Sequence, residues 1–453
     1  MELEKRGIPT FSTIFHQHLG TFIAPITLTG MSPVRFAQIQ SHELQYPEGA
    51  VKAAKEVLPQ LIDGLTVTTN PPYMKLEGNK LIPYPASFSF VAETADLANE
   101  AFAKKFLEMA WTDGLPVVAP TKERVERMLT GTDLPRDHVV GKMGPSLGLV
   151  TVENIAINAV MAGCRPEYMP VIIAAMEAIT SVPFDQYNAQ LRGVWPLIWV
   201  NGPIAKQIGI NYSENTFGPN PELPAGGPIS RAINFIWRNA GGYGFGFYPP
   251  GQHGQAGQFA GMVIAESEWD SFTGWKPYNQ QIGFPAGTNT VTVIGVMGAQ
   301  NIPGHDAPVA AQAVTATAAA WPNDEAQWKN RKTGVLIVEP LTANRAFVEW
   351  GQTKEQFAAE MAKKAVVSKQ AFLDVLEIRD EKDLTGFRKT LVDKYGDQIP
   401  IAAGGNNFII LKSGGWCTCM PFTYLPTDNW FNTPVTKVIK LPSNWDALLE
   451  AAK

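Results

Sequence analysis

Side chains able to move protons fall just beyond several apolar runs of this chain. Asn201 follows WPLIWV, Glu266 closes MVIAE, Asn301 and His305 follow TVTVIGVMG, and Glu339 closes GVLIVE. Such runs predict strands, and in open α/β sheets ligands bind outside the carboxyl ends of the strands. A shared sheet edge would gather an amide, carboxylates and an imidazole into one polar cleft, the equipment of general acid–base catalysis. His305 and Glu266 are the candidate acid and base there, and Asn201 and Asn301 the candidate substrate-orienting amides. Asp306 beside His305 either raises the basicity of the imidazole or caps the helix that follows. His253, in the glycine-rich loop from Gly241 to Gln258, is a second candidate catalytic imidazole, because small neighbours let backbone approach a ligand closely.

Other residues offer thiol, metal or anion chemistry. Cys164 lies in Gly163-Cys164-Arg165-Pro166, between two runs of helical periodicity. Pro166 is expected to open the second helix, which sets Cys164 ahead of a positive helix end and predicts a lowered thiol pKa. The alternative is a small buried side chain in a crowded corner. Cys417 and Cys419 in SGGWCTCMPF would share one face of a strand and could hold a soft or transition metal, although the spacer is too short for a Cys-x-x-Cys pair. His16 and His18 form the chain's His-x-His. Arg231 and Arg238, seven residues apart on one predicted helix, suit a carboxylate or phosphate, or else make solvated salt bridges. The loop GGYGFGF is no nucleotide fingerprint, since it follows a helix and Phe247 stands where the third glycine would fall. The cofactor is left open on these grounds.

The elements that must position these groups read as alternating strands and helices. Strands are expected at Leu115 to Ala119, Pro196 to Val200, Met262 to Glu266, Thr290 to Val296, Val335 to Glu339 and Phe408 to Leu411. Helices are expected at Thr94 to Ala110, Lys122 to Leu129, Ile229 to Asn239, Val309 to Ala320, Lys354 to Lys364, Gln370 to Ile378 and Leu384 to Tyr395. Continuous apolar strands separated by helices predict an α/β fold with a mixed or largely parallel sheet covered on both faces. Residues 1–105 read as an N-terminal extension or accessory region before an α/β core of 106–453, with a helix from Pro47 to Gly64 bent at Pro59 and a hairpin at Glu77-Gly78-Asn79. No internal repeat is visible.

The blocks WTDGLPVVAPT, ENIAINAVMAGCRPEYMPV, WVNGPIAKQIGIN and SRAINFIWRNAGG, in that order within roughly Phe106 to Leu441, resemble a poorly characterised bacterial family. That family is loosely grouped with UGSC-type, selenoprotein-B-related, glycine-reductase-like proteins. The grouping implies reductive chemistry on a Cys-Gly-Ser-Cys or selenocysteine motif, and this chain carries no such motif.

Composition narrows the function classes. A net charge of -5 over 453 residues, with Lys and Arg scattered, argues against a nucleic-acid partner. The absence of an 18-residue apolar run or a signal-like N-terminus predicts a cytoplasmic protein with no membrane partner. Only 17% of residues are charged and 12 are tryptophan, which fits covered surface and a homo-oligomer. The expected function is an enzyme acting on a small carboxylated organic substrate, by lyase- or hydrolase-type acid–base chemistry or by thiol-assisted redox chemistry. The alternative is a non-catalytic assembly subunit or small-molecule binding protein.

Overall fold

The computed structural model describes residues 12–15, 36–39, 47–66, 87–144, 148–181, 194–241, 257, 262–268, 274–304, 306–316, 321–415, 420–427 and 433–453. His16, His18, the hairpin at 77–79, His253, His305, Cys417 and Cys419 lie outside them. Two compact units emerge: Met1–Trp111 with Gly144–Gly148 and Arg238–Pro249, and the remainder of the chain.

In the first unit strands β1 (Ser12–Phe15) and β2 (Phe36–Ile39) pair in parallel. Helix α1 (Pro47–Thr66) buries Ala53 and Val57 and runs on through Pro59. Thr94 caps helix α2 (Ala95–Glu108), and its Phe102 and Phe106 rings pack at a tilt of 55° with centroids 4.5 Å apart. Phe88, Phe90 and Trp111 complete this aromatic core through edge contacts.

The second unit begins with α3 (Lys122–Leu129), whose boundaries are those expected because Thr121 caps it and Val125 and Met128 face inward. A two-stranded ribbon, β3 (Val139–Met143) and β4 (Gly148–Thr151), leads into α4 (Val152–Met161) and α5 (Met169–Ile179). A Thr151–Asn154 capping box starts α4. The segment Leu115 to Ala119 is not a strand, contrary to expectation. It is irregular and largely exposed, and its backbone is claimed by side chains: Leu115 and Pro116 carbonyls accept from Arg231, and the Ala119 carbonyl from Arg124.

Two four-stranded mixed sheets then form an α/β fold. The order continues as β5 (Trp195–Asn201), α6 (Ile204–Ile208), α7 (Gly226–Gly241), β6 (Val263–Ala265), α8 (Tyr278–Gln281), β7 (Thr290–Val296) and β8 (Gln300–Ile302). Next come α9 (Ala307–Ala316), α10 (Glu325–Asn330), β9 (Gly334–Val338), α11 (Pro340–Val348), α12 (Lys354–Lys364), β10 (Val366–Val367) and α13 (Lys369–Val375). The chain closes with α14 (Gly386–Tyr395), β11 (Ile399–Pro400), β12 (Phe408–Lys412), β13 (Phe422–Pro426), β14 (Val435–Val438) and α15 (Trp445–Ala451). One sheet has the order β14-β7-β5-β6 and the other β12-β9-β13-β8. Strands β5, β7, β9 and β12 are buried at every position, as continuous apolar runs require when both faces are covered. No helix among the described residues is long and apolar enough to cross a membrane.

The two sheets repeat one plan, although the sequence shows no repeat. Each has a first strand (β5, β9), a parallel neighbour reached by a crossover (β6, β12), and an antiparallel strand on the other side (β7, β13). The next strand of each half then crosses to the other sheet, so β8 pairs with β13 and β14 with β7. Equivalent hydrogen bonds continue the parallel ladders, Glu266 N to Val200 O at 3.2 Å and Ser413 N to Val338 O at 3.0 Å. This register matches Val200 with Val338, Asn201 with Glu339, and Glu266 with Ser413. Strand pairing needs only a buried apolar run, so the plan survives without residue identity.

Candidate functional site

The tips of β6 and β12 are joined. Ser267 N donates to Lys412 O at 2.6 Å, Ser413 Oγ donates to Ala265 O at 2.8 Å, and Lys412 N donates to Glu266 Oε1 at 3.3 Å. Carboxyl ends of strands from both sheets therefore meet, and polar side chains collect on either side of the junction.

At the β5 and β6 ends lies a buried polar cluster. Asn201 Nδ2 donates to Glu266 Oε2 and to Glu268 Oε1, both at 2.9 Å, so its amide orientation is determined by two acceptors. Gly202 N adds a second bond to Glu268 Oε1 at 2.8 Å, and Tyr278 N a second to Glu266 Oε2 at 2.7 Å. From the first turn of α12, Lys354 Nζ reaches Glu266 Oε1 at 3.1 Å and also donates to Lys276 O and Gln281 Oε1, both at 3.0 Å. All three ammonium protons are thus used. The Lys354 and Glu266 side chains are 4% and 1% exposed. Burial pushes the Lys354 pKa down, with Glu266 opposing. Burial likewise raises the Glu268 pKa, against the lowering effect of its bonds from Asn201 and Gly202.

At the β9 and β12 ends, across the junction, the equivalent place is open. A cavity of about 470 Å³ is lined by Glu214, Thr216, Asn301, Glu339, Ser413 and Thr423 among its polar residues. Glu339 is 5% exposed and stands at the N-cap position of α11 without a side-chain capping bond, where the positive helix end suits a carboxylate. Its Oε1 accepts from Thr342 Oγ1 at 2.9 Å. Glu214 sits on a loop organised by buried Asn211, whose Nδ2 donates to the carbonyls of Glu214 at 2.9 Å and Asn215 at 2.7 Å. Gly414, at φ +114°, and Gly415 turn the chain after β12. A Cβ on Gly415 would stand 2.5 Å from Glu214 Cγ and 3.2 Å from its Cα, so a side chain there would force Glu214 to shift. The lining, among the described residues, contains two carboxylates and no lysine or arginine.

The expected site residues divide between these places. Asn201 and Glu266 do converge, but in the filled cluster, where both Glu266 oxygens are saturated and a proton-transfer role is displaced by an ion pair. Asn301 lines the open cavity, its Oδ1 accepting from Thr423 Oγ1 at 2.8 Å. Asp306 takes the capping role, accepting from Val309 N at 2.9 Å. Arg231 is not placed for a substrate: its Nε and one terminal nitrogen grip both oxygens of Asp113 at 2.8 Å, and its guanidinium stacks on Phe235. Arg238, two turns along α7, is grouped with the other compact unit.

The expected activation of Cys164 is reversed. Pro166 opens only a one-turn 3₁₀ segment, Pro166–Tyr168, and α5 starts at Met169. The protein mass around the sulfur pushes the thiol pKa up, with Arg231 lowering it and Glu167 raising it further, although the residue as a whole is partly exposed. No group of three or more His, Cys, Asp or Glu placed to hold a metal ion occurs among the described residues.

Sequence reasoning named Glu339 as a strand-end carboxylate but passed over Glu214 and the Ser413-Gly414-Gly415 turn. The available signal was a polar, glycine-rich turn directly after an apolar strand. Comparison with protein-family models, with curated proteins and with solved structures finds no match for the chain.

Proposed function

We propose that the protein is an enzyme that binds a small polar organic molecule in the cavity at the β9 and β12 ends and acts on it by proton transfer through Glu339. One observation carries this reading. A buried carboxylate on a helix terminus faces a cavity of about 470 Å³ at strand carboxyl ends, a volume within the roughly 300–1,000 Å³ usual for small-molecule sites. Hydroxyls of Thr216, Ser413 and Thr423 and the Asn301 amide supply orienting groups around it. Thiol chemistry at Cys164 is disfavoured by its raised pKa. The resemblance to the poorly characterised bacterial family is retained as a proposal without the reductive chemistry of the UGSC-type grouping; its blocks are held together, Asp113 of the first by Arg231 of the last, and Val118 by Met161 of the second.

The test is a thermal-shift screen of small organic molecules, followed by NMR of each stabilising compound incubated with the protein. Conversion by the wild type, with turnover lowered about 10²–10⁴-fold in Glu339→Gln, is the expected outcome. Binding without conversion would instead make this a small-molecule binding protein. Binding unaffected by Thr423→Trp, which fills the cavity, would remove the site assignment.

A further inference from the structure

The repeated sheet plan provides an internal comparison for the open cavity. In one half, the crevice at the β5 and β6 ends carries Glu266 and Glu268, and an ammonium occupies it, Lys354 Nζ bound to a carboxylate, a backbone carbonyl and an amide oxygen. In the other half, the crevice at the β9 and β12 ends carries Glu339 and, from the loop after α6, Glu214. Hydroxyl and amide oxygens again stand beside the carboxylates, at Thr216, Ser413, Thr423 and Asn301. No lysine or arginine enters that lining among the described residues.

A lining of this composition repels a carboxylate or phosphate, and Arg231, the residue expected from the sequence to receive one, is held by Asp113. It attracts a cation that can also donate hydrogen bonds, because bonds to ionised acceptors are shorter and about twice as strong as neutral ones. Glu214 is exposed at its place on the loop, whereas Glu339 is 5% exposed. A charged end entering from solvent therefore meets Glu214 first.

We infer that the cavity takes a small molecule bearing a protonated amine, with Glu214 as the residue that selects its charge. This inference rests on the cavity being the ligand site, and it replaces the carboxylated substrate class suggested by Arg231 and Arg238.

The experiment uses the full chain and four probes, three of them matched in length: 1,4-diaminobutane, 1,4-butanediol, succinate and calcium chloride, each titrated by calorimetry at low and high salt. The diamine is expected to bind at least about tenfold more tightly than the diol, with succinate not binding. Its affinity should fall with added salt, as for a partly exposed ion pair. Glu214→Gln should remove about tenfold of the diamine affinity and leave diol binding unchanged, and Glu214→Lys should abolish diamine binding. Circular dichroism of both variants is the control that they fold. Equal or tighter binding of diol or succinate, or a response to calcium in place of the diamine, overturns the amine assignment. So does diamine binding that is indifferent to both Glu214 variants, or no diamine binding at all. The cavity reading fails separately, if Thr423→Trp leaves the binding of every compound that binds the wild type untouched.

Discussion

Lys354 and Glu266 form an ion pair of 3.1 Å in the interior, 88 residues apart in the chain, between the first turn of α12 and the end of β6. Each partner is fully supplied with further hydrogen bonds, so the pair is a joint between a helix covering one sheet and a strand of the other. Lys354→Met strands the Glu266 carboxylate and is expected to cost about 3–5 kcal/mol, whereas the double variant Lys354→Met, Glu266→Gln should recover much of it. Urea unfolding of the single and double variants checks this; a loss below about 1 kcal/mol in the single variant would show the joint to be dispensable.

Arg231 is a structural anchor for the Asp113 to Pro116 segment. Its side chain is 14% exposed and that of Asp113 is 5% exposed. Arg231→Ala is expected to cost about 3–5 kcal/mol by leaving a buried carboxylate unpaired. Arg231→Lys, which keeps the charge but loses the two-pronged grip, should fall between that and wild type. Unchanged unfolding midpoints in both variants would return Arg231 to the pool of ligand-binding residues.

Glu268 provides a pH test with a definite sign. Its folded-state pKa is raised, chiefly by burial, so the folded form holds a proton that the unfolded chain has already released. Its contribution to stability is present below the ordinary glutamate range and is lost as pH rises through the raised folded value. Glu268→Gln keeps an oxygen to accept from Asn201 Nδ2 and Gly202 N while removing the titration. The stability difference between variant and wild type should therefore grow in the variant's favour as pH rises from that range toward neutral. A difference independent of pH between 4 and 8, measured by denaturant titration, would contradict this.

Cys164 should resist alkylation. The thiolate is the reactive species, and burial disfavours it here. Peptide mapping after iodoacetamide treatment at pH 7 is expected to show Cys164 modified at least about tenfold more slowly than in urea. Equal rates in the two conditions would restore the activated-thiol reading.

What the chain determined by itself is what depends on near neighbours. Strand β7 and helices α3 and α12 fall on the expected residues, because an unbroken apolar run and the caps Thr121 and Thr353 are local signals. Strands β5, β9 and β12 agree within a residue or two for the same reason. The short strands β8 and β14 went unseen, since three or four residues become a strand only by pairing with a distant partner. The fate of the polar residues was decided the same way. Asn201 and Glu266 were both legible as strand-end polar groups, but whether they bound a ligand or one another depended on where α12 would deliver Lys354. Cys164 followed the same logic, because its ionisation is set by the mass packed around the sulfur and not by the proline two residues on. Only packing showed that one of two like crevices is filled by the protein's own ammonium while the other, at Glu214 and Glu339, is open.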